Sequence, residues 1–385
     1  MLDNVGGSLL DVLLTLMEGF MALTIGQTIM IIVGLVLIWL AIRHDFEPML
    51  LLPIGFGCVL ANIPFSEAVK SHGFLTVLYR TCIETELFPI LIFIAIGAMI
   101  DFTPLLTQPI TLFFGAAAQF GIYATFLMAV LINYVQPGTF SIQEAAAVSI
   151  IGAADGPTSI FVGTVFAPKY LTAITVAAYS YMSLVPLIQP PVIRALTTRE
   201  ERLIRMDAVE VSVVPRVVRI LFPIIVTLVA GLLAPMSTAL IGSLMFGNLV
   251  RECGVMDRLA DTAQNELSRL VTLLMGITIG SQMFASNFLQ PETFMILGIG
   301  FLAFVFDTAG GVMFAKFCNL FLKKKINPMV GACGISAFPM SARIIQRMAS
   351  EEDPTNFILM QAIGANVAGQ VASVVAGSLI LTMLS

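Results

Sequence analysis

The stretch IIGAADGPTSIF, residues 150–161, places an aspartate and a proline in the middle of a strongly apolar run. Gly152 and Gly156 flank Asp155, and Pro157 follows. Glycine and proline free backbone amides and carbonyls from helical pairing. Inside a bilayer such groups are tolerable only where they are buried in protein or line a water-filled cavity. An ionisable side chain at that depth is costly and by default marks an ion or proton pathway. The stretch therefore reads as a broken segment built around a working carboxylate. A second reading of Asp155, as a carboxylate that caps the helix beginning at Gly156 and Pro157, stays open at this level.

The surroundings are those of a membrane protein. Of 385 residues, 58% are hydrophobic and 11% charged, against about a quarter charged in an ordinary soluble domain. Apolar runs suited to crossing a bilayer occur at 25–43, 48–62, 87–103, 109–135, 170–194, 219–235, 237–251, 267–283, 291–321 and 356–383. The chain is predicted to be an all-α polytopic membrane protein with about ten transmembrane helices and two broken re-entrant hairpins. A net charge of −5 with no basic stripe argues against a nucleic-acid surface. His44 and His72 are too few and too far apart for a zinc or iron site, and five scattered cysteines without a CxxC read as small packing residues. No basic region precedes the first apolar segment, so no cleaved signal peptide is expected. Residues 1–24, centred on the run at 8–23, read instead as an amphipathic interfacial segment.

Lys and Arg are enriched in short cytoplasmic loops. Arg194, Arg199, Arg202, Arg205, Arg216 and Arg219 form one basic group, Arg251, Arg258 and Arg269 a second, and Lys323 to Lys325 with Arg343 and Arg347 a third. All three groups lie inside only if 145–166 and 327–347 enter the membrane and return on the same side, with both termini outside. Full crossings at those two places make the competing topology. A shift of 182 residues lays QPIT (108–111) on QPET (290–293), Gly152 on Gly334, Pro157 on Pro339 and Ser159 on Ser341. With the proposed sidedness the copies run in opposite senses, as in the inverted repeats of many ion-coupled carriers; chance similarity among Gly- and Ala-rich spans is the competing reading. The expected organisation is 25–195 as the first repeat, 196–218 as a cytoplasmic basic linker and 219–385 as the second repeat.

Freed carbonyls are hard oxygen donors, and Asp155 adds one formal charge beside them. The second broken segment, INPMVGACGISAFPMSAR (326–343), offers Asn327, Ser336 and Ser341 and no acid. One charge among neutral oxygens suits a monovalent cation better than calcium. Asn327 and Ser336 also read as plain helix caps.

These same residues carry a family resemblance. GAADGPT (152–158), AAYSYMSLVPLIQPP (177–191), INPMVGACGISAFPMSAR, FEPMLLLPIGFGCVLANIP (46–64) and AIGANVAG (362–369) resemble the β subunits of sodium-pumping biotin-dependent decarboxylases acting on oxaloacetate, methylmalonyl-CoA or glutaconyl-CoA. The resemblance runs from about residue 27 to the end. It implies a multi-pass subunit of the bacterial inner membrane that decarboxylates carboxybiotin, consumes a proton and exports sodium. It implies sodium and proton roles for Asp155 and Tyr181, polar functional roles for Asn327, Gly331, Ser336 and Arg343, and a sodium-ligand role for Asn366. Biotin would come as carboxybiotin from a partner, since nothing here resembles a Met-Lys-Met biotinylation site. The implied partners are a carboxyltransferase α subunit, a biotin carrier protein and a small membrane subunit of γ or δ type, with further copies of this chain in the complex. The chain lacks the long hydrophilic insertion after the second span that oxaloacetate members carry, which leans toward an acyl-CoA system.

Read without the resemblance, Tyr181 is a packed interhelical hydrogen-bond donor, and Arg343 is either a bidentate carboxylate receptor or an ordinary cytoplasmic anchor. Asp307, in FVFDTAGG, is a second acid within a span, either paired with Lys316 or titrating. Asp101, Glu84 and Glu86 fall at span ends and are expected to be solvated. A sodium-coupled carrier of carboxylates without decarboxylase chemistry is the alternative function, and it would need no biotin-bearing partner.

Overall fold

The computed structural model describes residues 17–44, 48–206, 214–233 and 235–384, and among them it contains helices, turns and no strand. The amphipathic reading of 8–23 lies mostly outside the described residues; 17–21 are helical. The principal helices, in chain order, are α1 (Ile25–His44), α2 (Pro48–Asn62), α3 (Leu87–Met99), α4 (Thr111–Ala118), α5 (Phe120–Val135), α6 (Ile142–Ser149) and α7 (Gly156–Phe166). There follow α8 (Leu171–Leu196), α9 (Arg216–Leu233), α10 (Thr238–Glu252), α11 (Ser268–Gly280), α12 (Pro291–Cys318), α13 (Met340–Glu352) and α14 (Leu359–Leu384).

Each of the ten apolar runs falls on helix. Four stretches are long and apolar enough to cross a membrane by themselves: α1, the α4–α5 pair, α12 and α14. Six qualify if each of two bent pairs counts as one span. The run at 87–103 yields a shorter helix, because the chain turns extended at Ile100 and Asp101 accepts the Thr103 amide at 2.9 Å. α8 carries Pro186, Pro190 and Pro191 and bends by 65° near residue 183. Pro186 has no amide to offer the carbonyl one turn earlier, which accounts for a kink at that point.

Two compact units make up the chain, one running to Thr85 and including Leu273–Gln290, the other comprising Glu86–Thr272 and Pro291–Ser385. In the first, α1 and α2 approach backbone to backbone: a Cβ on Gly34 would stand 2.7 Å from the Gly55 carbonyl oxygen. Small residues at such crossings are how helices pack where lipid removes the hydrophobic drive. α1 shows an apolar surface outward, with Ile25, Ile32 and Trp39 all more than half exposed, which suits hydrocarbon.

In the second unit α12 packs against α4, α5 and α8. The two sequences singled out as broken are broken. α6 tightens into a 3-10 turn (Ile150–Ala153), the chain opens at Ala154 and Asp155, and α7 begins. A one-turn helix (Pro328–Gly331) likewise tightens into a 3-10 turn (Ala332–Gly334), opens, and resumes as α13.

The basic linker after α8 is clasped to the end of α13. Arg194 pairs with Glu351, Arg199 and Arg202 with Glu352, and Arg205 with Asp353, the last at 2.6 Å. Lys316 joins this polar layer through Glu201 at 3.1 Å and the Leu196 carbonyl at 3.0 Å, so it does not pair with Asp307. The Arg202 hydrogen bond, with Arg199, holds Glu352 below the ordinary carboxylate range. The Thr355 amide and hydroxyl, with Arg205, do the same for Asp353. A carboxylate whose pKa is lowered by folding contributes stability that is fully present above its unfolded value of about 4 and lost as pH falls through the folded one. Spin labels at Glu200 and Arg347 are therefore expected to move apart below about pH 4, and to be apart already at neutral pH in a Glu352→Gln, Asp353→Asn double variant. A separation constant down to about pH 2.5, below the survey mean for carboxylates, would show that other contacts hold the linker.

Candidate ion site at the crossing of two broken segments

Asp155 is 2% exposed and realises both of its sequence readings. One oxygen, Oδ1, accepts the Thr158 amide at 3.1 Å and caps α7. The other, Oδ2, accepts from Ser373 Oγ at 2.7 Å and Gln370 Nε2 at 3.1 Å, both on α14. The Thr158 hydroxyl lies beside the same carboxylate, and Ser159 Oγ donates to the Asp155 carbonyl at 2.7 Å. Just before it, Ala154 takes the left-handed conformation at φ 53°, which costs a residue with a Cβ about 1–2 kcal/mol. That strain is held by the packing of the break.

The second break meets the first. The Ser336 amide donates to the Ala153 carbonyl at 3.3 Å, and Ser336 Oγ donates to the Gly369 carbonyl at 3.0 Å. Asn366 Nδ2 donates to the freed Ile335 carbonyl at 2.6 Å. Gln189 Nε2, between the prolines of α8, donates to the Ala332 carbonyl and to Ser341 Oγ, each at 2.9 Å. Asn366, Gly369, Gln370 and Ser373 fall at i, i+3, i+4 and i+7, one face of α14. That face joins both breaks. Asn366 Oδ1 lies buried on it with no hydrogen-bond partner. A buried oxygen without a donor calls for an explanation, and a bound cation supplies one. Among the described residues no three His, Cys, Asp or Glu side chains gather as a metal site, so the charge at the crossing is that of Asp155, set among neutral oxygens.

The other sequence candidates are placed as follows. Asn327, fully buried, caps the one-turn helix through the Met329 amide at 3.1 Å, and its Nδ2 donates to the carbonyls of Arg202 and Ile204. It ties the linker to the second break and is not hydrogen-bonded to the Asp155 group. Tyr181 donates its hydroxyl to the Leu297 carbonyl of α12 at 2.6 Å, its ring packed between Phe301 and Phe304; it too is not joined to Asp155. Tyr179 is the tyrosine at the first break: a Cβ on Gly156 would stand 2.3 Å from its ring. Gly152 lies against the backbone of Gly121, and Gly331 against the Gly311 carbonyl. Pro157 is in the first turn of α7 and Pro339 at the N-cap of α13. Arg343 is exposed on the first turn of α13 and makes no ion pair among the described residues, whereas Arg194, Arg199, Arg202, Arg205 and Arg347 are all paired.

Sequence reasoning missed Gln189, Gln370 and Ser373. For the last two a signal existed: they continue from Asn366 at helical spacing, a polar stripe in an otherwise apolar helix.

The chain matches known proteins over nearly its whole length. The family described as the Na+-transporting oxaloacetate decarboxylase beta subunit matches residues 26–384. The methylmalonyl-CoA decarboxylase subunit beta of Veillonella parvula is 50% identical over 371 residues, covering 96% of each chain. That of Propionigenium modestum is 44% identical over 389 residues, 95% of this chain and 96% of the relative. The oxaloacetate decarboxylase beta chain of Haemophilus ducreyi is 44% identical over 423 residues, 95% of this chain and 97% of the relative. With these matches spanning both broken segments and the helix that joins them, the chain belongs to the β-subunit family of the Na+-transporting decarboxylases.

Proposed function

We propose that this chain is the subunit that releases CO2 from carboxybiotin presented by a partner and couples that release to sodium export, with a proton consumed. The observation that carries the reading is that one face of α14 both holds a buried carboxylate oxygen and carries an orphaned amide oxygen: Asp155 Oδ2 is held by Gln370 and Ser373, and Asn366 Oδ1 is unpartnered. Sodium is the cargo, taken by Asp155 and Asn366 with the hydroxyls of Thr158 and Ser373. Ser336 holds the second break against α14 beside them. Asn327 serves by fixing the linker.

Biotin fits at Arg343. An exposed guanidinium without an acid partner, one turn past the break, is free to receive a carboxylate in bidentate fashion. Carboxybiotin, when bound, supplies the labile N–carboxyl bond. The chain's part is to hold that carboxylate, exclude water from it as the segments close, and provide a proton. Tyr181 holds a phenolic proton at its hydroxyl on the Leu297 carbonyl, and movement of α8 against α12 would release it.

Export against about 150 mV costs roughly 3.5 kcal/mol per charge, so the site must face each side in turn. The equal order of helix, 3-10 turn, break and helix at both broken segments supports an inverted repeat that rocks about the crossing, within a fold of ten spans and two re-entrant hairpins in the bacterial inner membrane. The partners are a carboxyltransferase α subunit, a biotin carrier and a small membrane subunit. The oxaloacetate relative aligns over 423 positions, well beyond the 385 residues here, and the two methylmalonyl-CoA relatives over 371 and 389. That difference supports an acyl-CoA as the substrate of the complex. The test is CO2 release from carboxylated carrier by the assembled complex with and without sodium. Release indifferent to sodium overturns the coupled pump.

A further inference from the structure

Asp307, in the middle of α12, is fully buried, and neither carboxyl oxygen has a hydrogen-bond partner. It is wedged against the start of α5: a Cβ on Gly121 would stand 2.8 Å from Oδ1 and 3.0 Å from the Ala303 carbonyl oxygen, so both oxygens pack close against that glycine. The polar group turned to the carboxyl is the Gly121 amide, at the N-terminus of a helix of 16 residues. The first break also packs on Gly121, since a Cβ on Gly152 would stand 2.7 Å from the Gly121 carbonyl carbon.

We propose that Asp307 is a second ion-binding carboxyl of this protein, and that its ion is a proton. A bare carboxylate buried without a donor is among the most costly groups a membrane interior can hold. Sodium would need several oxygens around it, whereas the oxygen that meets Oδ1 beside Gly121 is the Ala303 carbonyl. A proton needs only one acceptor, and the Ala303 carbonyl packs against the same glycine. The charged groups on the neighbouring elements are engaged elsewhere or lie outward. Tyr123 and Tyr134 of α5 are exposed, and Glu144 of α6 caps its own helix. On α8, Tyr179 lies on Gly156, Tyr181 on Leu297, and Arg194 pairs with Glu351. On α12 itself Glu292 is in the first turn and Lys316 pairs with Glu201; Cys333, of the second 3-10 turn, lies by Ser341. When the O–H bond breaks and the proton leaves, the charge left on the carboxylate faces the Gly121 amide and the positive end of α5. Because Asp307 and Gly152 both pack on Gly121, a shift of the break that binds cation at Asp155 moves the group that stabilises ionised Asp307. Each site then biases the other.

The test uses the complex in lipid nanodiscs and two readouts. At pH 7, where ordinary carboxyls of pKa about 4 are ionised, the infrared spectrum should contain the carbonyl band of a neutral carboxylic acid, shifted by deuterium exchange. The band should be lost in Asp307→Asn, which has the shape of the neutral acid, and retained in Asp155→Asn. Turnover at saturating sodium should also show an altered pH profile in Asp307→Asn. Absence of the band in the wild type, its persistence in Asp307→Asn, or its loss with an unchanged pH profile each overturns the proposal. The infrared arm is independent of the pump reading, which is tested separately by sodium-dependent CO2 release.

Discussion

Asp155→Asn is expected to raise the sodium concentration for half-maximal decarboxylation roughly a thousandfold while the protein still inserts and assembles. A unit charge about 4 Å from a bound cation contributes about 4 kcal/mol at an effective dielectric constant near 20, and each 1.4 kcal/mol is about tenfold in affinity. Asparagine keeps the cap, since its carbonyl accepts the Thr158 amide as Oδ1 does now. On the other side the Ser373 hydroxyl rotates and the Gln370 amide turns over to accept from the new NH2 group. The substitution therefore removes charge with little change of shape. Sodium titration of CO2 release by the complex, beside a thermal melt, decides it. A normal sodium requirement would reduce Asp155 to its capping role, and a lowered melt with a normal requirement would do so more firmly.

Much of this was legible in the chain before folding, and the reason is physical. Apolar runs must be helical in lipid, so the ten runs fall on helices; Gly and Pro interrupt helical pairing, so 150–157, around an acid, and 332–339, without one, are both broken. The run at 87–103 came out short because a turn closed by Asp101 and Thr103 is local polar chemistry inside an apolar average. What closes the breaks was harder to see. Gln189 reaches the Ala332 carbonyl across 143 positions and Gln370 reaches Asp155 across 215, and no local pattern specifies a partner at that separation. Tyr181 comes from the resemblance alone; its hydroxyl goes to the Leu297 carbonyl, while the ring on Gly156 is that of Tyr179, and no local pattern separates the two. Asp307 was visible as an acid in a span, but that it lacks a partner depends on where Lys316 goes, and Lys316 goes to the polar layer at Glu201.

Gly369→Ala is expected to cost nearly all coupled turnover, for a reason opposite to that of Asp155→Asn: it leaves every charge in place and moves the backbone. A Cβ on Gly369 would stand 2.1 Å from the Gly334 carbonyl oxygen and 2.9 Å from that of Ile335. Both are backbone atoms of the second break and have no rotamer to adopt, so α14 and the break must separate. That separation breaks the Ser336 contact to the Gly369 carbonyl at 3.0 Å and stretches the Asn366 contact to Ile335 at 2.6 Å, on the same face that presents Gln370 and Ser373 to Asp155. Overpacking of this kind costs about 1–3 kcal/mol in stability. The loss of turnover should exceed what such a cost explains, because ligands displaced by even about 1 Å lose most of their function. Gly298→Ala is the control. Gly298 is on α12 with nothing within 4 Å of its would-be Cβ, and there alanine gains up to about 1 kcal/mol of helix propensity. The measurement is sodium-dependent CO2 release normalised to the amount of assembled complex, for both variants side by side. Equal activity in the two would mean that the crossing tolerates separation. The joining of both breaks by one face of α14 would then be packing without a part in holding the ion.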